Sequence, residues 1–341
     1  MTRRLLGFAC ALSIAAGGTQ IVGAGFEPAL VAGRPSANVE RVWPDPPAAA
    51  RIRFVSALVP RTARRRSLLR RVWDAVAGGT DAPVMKQPYG LAIGAGGRLY
   101  VADPQSRVIH VYDLRDGGYS TIDVASESLI GIAAAGGRIF VTDSAGARVI
   151  CLNAAGKRQW VAGPESGLLR PTGIVAADDR VYVVDTLGHR VMALGMDGRM
   201  LDGFGSRGAE PGQFNYPTSI ARDLSGRLYV VDAMNFRVQV FTPQGRLVSA
   251  FGRAGDGSGD FSRPKGVALD SEGHVYVVDG LQDVVQIFDA DGRFLLAFGQ
   301  PGREEGEFWL ATGIAIAGDR IYVADSSNGR VQVFDYLKAA P

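Results

Sequence analysis

Six aspartates recur along the 341-residue chain, each directly after an apolar run and before a turn. Carboxylates at equivalent repeat positions could together hold a calcium or zinc ion. An aspartate that ends a strand also accepts hydrogen bonds from turn amides, which requires no metal. We therefore interpret this set as structural. Its members are Asp103, Asp143, Asp185, Asp232, Asp279 and Asp325.

Four of the six repeats carry an arginine five residues after the aspartate, where a charge-assisted ion pair is expected. Val108 and Val284 take its place in the first and fifth repeats, so Asp103 and Asp279 are expected to rely on the turn alone. The arginines are Arg148, Arg190, Arg237 and Arg330.

The three histidines do not predict a metal centre. A catalytic zinc takes three protein ligands that converge on one point. His110 lies within an apolar run, His189 in a turn and His274 at the start of a strand, in three different repeats. No Gly-x-Ser-x-Gly elbow marks a hydrolase either. We therefore predict no metal, no cofactor and no catalytic residue.

The segments around the aspartates align with one another and predict an array of short strands. Successive aspartates are 40, 42, 47, 47 and 46 residues apart, a period typical of propellers and solenoids. Runs such as Leu228-Tyr229-Val230-Val231 are apolar on both faces, as in a sheet packed between other sheets. The aligned segments are 98–112, 138–152, 180–194, 227–241, 274–288 and 320–334.

Each repeat also has a short upstream strand with a small residue, and three repeats have a downstream strand marked by Phe-Gly, at Phe204-Gly205, Phe251-Gly252 and Phe298-Gly299. Small residues suit an innermost strand, where six blades crowd one axis. The last repeat ends too early for an outer strand, and residues 51–59 form an unpaired apolar strand. The sequence thus predicts an all-β fold, a six-bladed β-propeller of four-stranded blades, closed by an N-terminal strand that completes the last blade.

One residue of each inner strand, just before its small residue, is expected at the mouth of the central channel and forms the predicted ligand face. Tyr89 and Lys265 stand out in it as targets for mutagenesis. The six residues are Tyr89, Ile130, Thr172, Thr218, Lys265 and Thr312.

The N-terminus predicts export. Residues 1–24 resemble a signal peptide with Arg3 and Arg4 before an apolar stretch and Val22-Gly23-Ala24 as the cleavage pattern, Ala16 being an alternative site. Cys10 leaves a lipid anchor as a weaker alternative, and Cys151 is expected to be a buried, inert thiol. Residues 25–50 form a Pro/Ala/Gly-rich linker, 51–336 the propeller and 337–341 a tail.

A basic helix is predicted at about residues 64–77, as an insertion in the propeller. Apolar residues including Trp73 recur at helical spacing among the arginines. The apolar side could dock on the propeller, or the helix could contact a membrane surface or another anionic partner. The basic residues are Arg64, Arg65, Arg66, Arg70 and Arg71.

Charge is divided unevenly along the chain. Residues 1–86 hold 13 basic and 5 acidic residues, whereas the remainder holds 24 basic and 29 acidic residues. A nucleic-acid reader usually carries its basic patch on the folded domain, so the acidic repeats argue against a nucleic-acid partner.

The recurring Tyr-Val-x-Asp … Arg-Val-x-Val-Phe pattern, with Pro-x-Gly before the inner strand, resembles the NHL-repeat family over residues 88–336. Residues 43–47 and 51–54 are similar to the entry segment of exported bacterial NHL proteins. The resemblance implies a six-bladed propeller, but its members include RNA-binding domains, extracellular sensor domains of kinases and a metal-dependent lyase. The fold therefore does not decide the function.

We expect an extracytoplasmic binding or scaffold protein, periplasmic or at the cell surface, that acts as a monomeric disc. Its partner would be a protein, a peptide or an envelope polymer bound across one face, with peripheral membrane contact through the basic helix as a further option. The alternative is a metal-dependent propeller enzyme, a lyase or lactone hydrolase.

Overall fold

Apolar runs rich in β-branched and aromatic residues form almost all of the regular structure. The computed structural model describes residues 41–60 and 84–338. The strands are β1 (Val42–Trp43), β2 (Ile52–Leu58), β3 (Leu91–Gly94), β4 (Arg98–Asp103), β5 (Val108–Asp113), β6 (Tyr119–Asp123), β7 (Leu129–Ala135), β8 (Arg138–Asp143), β9 (Arg148–Asn153), β10 (Arg158–Ala162), β11 (Pro171–Ala176), β12 (Arg180–Asp185), β13 (Arg190–Gly195), β14 (Met200–Phe204), β15 (Pro217–Arg222), β16 (Leu228–Asp232), β17 (Arg237–Phe241), β18 (Leu247–Phe251), β19 (Pro264–Leu269), β20 (Val275–Asp279), β21 (Val284–Phe288), β22 (Phe294–Phe298), β23 (Ala311–Ala317), β24 (Arg320–Asp325) and β25 (Arg330–Tyr336). Short 3-10 helices lie at Pro164–Ser166, Ala233–Asn235 and Ser326–Asn328.

The strands form six antiparallel sheets, which are the blades of the propeller. Blades 1 to 5 are β3–β6, β7–β10, β11–β14, β15–β18 and β19–β22, each with four strands in chain order. Blade 6 has the order β1-β2-β25-β24-β23, so its outer strands come from the N-terminal side of the chain. The predicted six-bladed fold with an N-terminal closing strand is confirmed.

Closure of the ring depends on β2. Phe54 lies opposite Phe334 of β25, and their rings meet edge to face with centroids 5.7 Å apart. Ile52 is fully buried beside them. Val42 and Trp43, which the sequence analysis places in the linker, form the short strand β1, and Trp43 packs 5.8 Å from the ring of Phe334.

Close packing around the axis explains the small residues of the inner strands. A Cβ at Gly131 would overlap the carbonyl oxygen of Thr172 in the next blade. The same substitution at Gly313 would overlap the carbonyl oxygen of Tyr89, across the junction between the last and first blades. Neighbouring backbones therefore approach so closely that a side chain has no room.

The hydrophobic core is divided into six layers, one at each junction between neighbouring blades. The central strands β4, β8, β12, β16, β20 and β24 supply side chains to the layers on both of their faces, which is why their runs are continuously apolar. In β16 every residue from Leu228 to Asp232 is buried.

The disc has two faces that differ in their loops. The face called here the aspartate face carries the turns that follow the six repeat aspartates. It also carries the loops that enter the inner strands, because the inner strands of blades 2 to 6 begin opposite an aspartate, as in Pro217 opposite Asp232. The opposite face carries the turns between the first two strands of each blade.

Several sequence predictions lie outside the described residues. These are the signal peptide of residues 1–24 with Cys10, most of the linker, and the basic helix with its arginines and Trp73.

Truncation of Ile52 tests the closure by β2. Ile52→Ala should lower the free energy of unfolding by about 2–5 kcal/mol, because a fully buried side chain leaves a cavity in blade 6. Val55→Ala, on the same strand but 39% exposed, is the matched control and should change it by less than about 1 kcal/mol. Urea denaturation of both variants measures the difference; equal effects would contradict the closure.

Candidate binding face

The central channel brings together all six residues of the predicted ligand face. They line one cavity of about 80 Å³, together with the following two residues of each inner strand. In each repeat a loop leads into the inner strand at the channel, so the six equivalent residues lie around one cavity. The lining contains small, aliphatic and hydroxyl side chains, one phenol and one ammonium group.

The three threonines of this set hold the ring together. Thr172 Oγ1 donates to the carbonyl oxygen of Thr218 at 3.0 Å, and Thr218 Oγ1 donates to that of Lys265 at 3.1 Å. Thr312 Oγ1 contacts the carbonyl oxygen of Tyr89 at 3.4 Å across the closing junction. Each hydroxyl therefore bonds the inner strand of the next blade, and the three threonines are less available to a ligand than Tyr89 and Lys265.

Tyr89 and Lys265 keep polar groups that face the channel without a partner among the described residues. Burial lowers the pKa of Lys265, and the nearby charge of Arg263 lowers it further. Burial raises the pKa of Tyr89, which the positive charges of Arg263 and Arg170 partly oppose. The mouth of the channel therefore combines the amine of Lys265 and the phenol of Tyr89 with the nearby positive charges of Arg263 and Arg170.

The six repeat aspartates are fully buried and act as anchors for the turns. Each accepts backbone N–H groups from the loop entering its own inner strand or from the turn that follows it, as Asp232 does from Asn215 at 2.6 Å. Four also pair with the arginine five residues on. The pairs are Asp143–Arg148, Asp185–Arg190, Asp232–Arg237 and Asp325–Arg330, with N–O distances of 2.9, 3.3, 2.8 and 2.7 Å.

The two aspartates without an arginine are bonded more widely than by the turn alone. Asp279 accepts the turn amide of Leu281 and also that of Ser262, from the loop entering the inner strand. Asp103 accepts the amide of Lys86 at 2.7 Å and the side chain of His110 at 3.3 Å.

His110 occupies a structural position of the repeat. It lies seven residues after Asp103, where three later repeats have Gln239, Gln286 and Gln332. Gln239 Nε2 and Gln332 Nε2 donate to their repeat aspartates at 3.2 and 3.0 Å, as the imidazole does in blade 1. Because a carboxylate only accepts, Nε2 of His110 donates to Asp103, and Nδ1 shares a hydrogen bond of 2.7 Å with Tyr119 Oη.

Hydrogen bonding settles the charge of Asp103. Burial raises the pKa of this carboxyl, but the bonds from His110 and from the amides of Ser106 and Lys86 outweigh burial, and the net pKa lies below its usual range. The carboxylate is therefore ionised and accepts the imidazole proton.

The other two histidines lie apart from His110. His189 packs on Tyr216, and His274 bonds Asp270 at 2.8 Å. Within residues 41–60 and 84–338, no group of three or more His, Cys, Asp or Glu side chains is placed to hold a metal ion. Cys151 is buried, and burial raises the pKa of its thiol to about 11.

Exposed apolar residues on the aspartate face were missed by the sequence analysis. Three of them sit two residues after the repeat aspartate in three successive blades, and four more lie in the loops that enter the inner strands of blades 3, 4 and 6. An apolar residue at a turn position of three consecutive repeats is a signal that the sequence did contain. This apolar crescent consists of Leu187, Met234, Leu281, Leu169, Tyr216, Trp309 and Leu310.

Replacement of His110 tests its structural role. His110→Gln installs the side chain of the later repeats and should change the free energy of unfolding by less than about 1 kcal/mol. His110→Ala removes a hydrogen-bond partner from both Asp103 and Tyr119 and should lower the free energy of unfolding by about 1–3 kcal/mol. Chemical denaturation distinguishes the two. Equal destabilisation by both variants would show that the imidazole does something that glutamine cannot.

Solved structures similar to this chain show the fold. Virginiamycin B lyase from Staphylococcus aureus is 16% identical, with a TM-score of 0.55 over 74% of this chain and 96% of that chain. A gluconolactonase from Xanthomonas campestris is 19% identical, with a TM-score of 0.58 over 74% and 86%. A chain of a nidogen/laminin complex is 24% identical, with a TM-score of 0.55 over 72% and 87%.

Two family models match this chain, whereas no curated protein does. The family described as outer membrane protein assembly factor BamB matches residues 70–295, more than half of the chain, and the NHL repeat matches residues 308–334. The chain therefore belongs to the family of the BamB model, and its six blades together with the NHL match make it an NHL-repeat β-propeller.

Proposed function

We propose that the protein is an extracytoplasmic binding scaffold that presents its aspartate face to a protein, peptide or envelope partner. The observation that carries this proposal is the apolar crescent, which surrounds the channel mouth over four successive blades. A soluble protein seldom exposes large apolar side chains together on one face unless that face binds something.

The opposite face differs. Among the described residues, Leu224 is the exposed large apolar side chain in its turns. The remaining exposed apolar residues outside the crescent lie in or beside the outermost strands, such as Leu247 and Leu295, or ahead of the first inner strand at Val84. The asymmetry favours the aspartate face as the interface.

The aspartate face is also held rigid, which lowers the entropic cost of binding. Its turns are fixed by buried carboxylates, and Arg237 Nη2 donates to the carbonyl oxygens of Glu210 and Gln213 in the loop before the inner strand, both at 3.0 Å. Loops tied to strands in this way present their side chains in one arrangement.

The family supports a position outside the cytoplasm, because the model that matches residues 70–295 describes an outer membrane protein assembly factor. The signal peptide predicted at residues 1–24 agrees with such a position. In the part of the chain that the structure describes, no helix is both long and apolar enough to cross a membrane.

Site-specific photo-cross-linking tests the binding face. A photoreactive residue in place of Leu281, which is 61% exposed, should give a defined cross-linked product in the source cell's envelope. The same residue at Leu224, 88% exposed on the opposite face, is the matched control and should give none at that size. A product from Leu224 alone would assign binding to the other face.

Affinity for the identified partner extends the test. Leu281→Asp should weaken binding of the purified partner by about tenfold or more, since it places a charge in an apolar contact. Leu224→Asp should leave the affinity unchanged. Isothermal titration calorimetry measures both, and similar affinities for the two variants would contradict the proposal.

Metal content distinguishes the scaffold from the alternative of a metal-dependent enzyme. After mild dialysis, elemental mass spectrometry of the purified protein should find no stoichiometric zinc or calcium. One equivalent of either ion would contradict the scaffold proposal and direct attention to the enzyme alternative.

A further inference from the structure

Lys265 stands out among the lysines of this chain. The sequence contains four, namely Lys86, Lys157, Lys265 and Lys338. Lys338 pairs with Asp319 at 3.0 Å, and Lys86 and Lys157 are exposed. Lys265 is half-buried at the channel mouth and has no hydrogen-bond or ion-pair partner among the described residues. A half-buried ammonium group without a counter-ion is costly unless a ligand supplies one.

Blade 5 makes room for this lysine. The first residue of the aspartate turn carries a hydroxyl in blades 2, 3 and 6, where Ser144, Thr186 and Ser326 donate to a carbonyl oxygen of the next blade. In blade 5 the position is Gly280. A Cβ there would lie 2.7 Å from the carbonyl oxygen of Ala311 in the next blade, and 3.1 Å from Cγ and 3.6 Å from Cε of Lys265, so both the neighbouring backbone and the lysine stem take the space that a side chain would need. Glycine at this turn and lysine at the channel belong to one local arrangement.

The surroundings of Lys265 are positive and contain further donors. Arg263 lies two residues before it, directly ahead of the same inner strand, and Arg170 holds the equivalent place in blade 3. Tyr89 contributes its hydroxyl from blade 1 to the same cavity. No Asp or Glu side chain lines this cavity, so nothing in its wall neutralises the ammonium group.

We propose that the channel mouth is a carboxylate site, in which Lys265 forms an ion pair with an acidic group of a bound peptide and the hydroxyl of Tyr89 donates to the same group. This inference rests on the proposed function, and it names the chemistry of the partner. Arg170 and Arg263, both exposed, attract the acidic segment toward the mouth.

Size and surroundings favour a carboxylate on a peptide. The cavity of about 80 Å³ accepts a group of a few atoms, such as a carboxylate at the end of a side chain or at a chain terminus. A phosphate group is usually held by several converging donors, often a bidentate arginine, and here one ammonium group and one phenol converge. The apolar crescent around the mouth would receive the apolar residues that flank the acid.

Carbon-13 methylation of lysines gives a direct readout, because the full chain has only four lysine signals and Lys265→Arg identifies the one at the channel. The probe is the blocked pentapeptide Ac-Leu-Ala-Glu-Ala-Leu-NH2. Its titration should move the Lys265 signal with saturation and leave that of Lys157, on the opposite face, in place. The isostere with Gln in place of Glu should move neither signal.

Two further arms separate the sources of the carboxylate. The same peptide with Gln and a free C-terminal carboxylate would show whether a chain end replaces the side-chain acid. Lys265→Met should weaken binding of whichever carboxylate peptide binds by about tenfold or more, whereas Lys265→Arg, which keeps the charge, should stay within about threefold. Thermal unfolding of both variants checks that the fold is unchanged.

Some outcomes overturn the inference. Equal movement of the Lys265 signal by the Glu and Gln peptides would show that the charge is not recognised. Saturation by inorganic phosphate at lower concentration than by acetate would assign the site to phosphate instead. If no carboxylate peptide moves the Lys265 signal but Leu281→Asp still weakens binding of the partner, the carboxylate site is rejected and the proposed function stands. If neither the Lys265 signal nor the affinity of Leu281→Asp changes, both are rejected.

Discussion

The inner strands of the six blades meet so closely around one axis that the rest of the structure depends on this contact. A Cβ at Gly131 or Gly313 would overlap a carbonyl oxygen of the next blade, and the hydroxyls of Thr172, Thr218 and Thr312 bond the same neighbouring backbones. The narrow channel, its small lining residues and the placement of six loops around one mouth all follow from this approach. The ring closes through blade 6, in which β23 meets the first blade at the axis and β2 completes the sheet by pairing with β25.

The repeat aspartates fix the loops and turns of the aspartate face around this ring. Each buried carboxylate holds the turn after its own strand and the loop entering its inner strand, so that side chains on these segments keep fixed positions. The crescent and the basic mouth therefore belong to one rigid surface. The repeated pattern forms the scaffold. Positions that depart from the pattern, such as Lys265 with Gly280, give this protein the distinctive groups at its channel mouth.

Most of the fold could be predicted from the sequence, because period, strand patterning and the unpaired strand at residues 51–59 each have one physical interpretation. The grouping of six residues at the channel was predictable from their register for the same reason. The use of the threonine hydroxyls was not, since their acceptors lie in the next blade, about 46 residues away in the chain for Thr172. The equivalence of His110 with Gln239 was visible in the alignment of repeats, but only the bond to Asp103 shows what the position does.

The central claim is that the aspartate face is occupied in the protein's native setting. Hydroxyl-radical footprinting measures this directly by comparing side-chain oxidation in intact source cells and in the purified protein. The account predicts that Met234 and Leu281 are protected in cells, while Leu224 on the opposite face is oxidised to the same extent in both. Equal oxidation of Met234 and Leu281 in the two samples, or protection confined to Leu224, would contradict it.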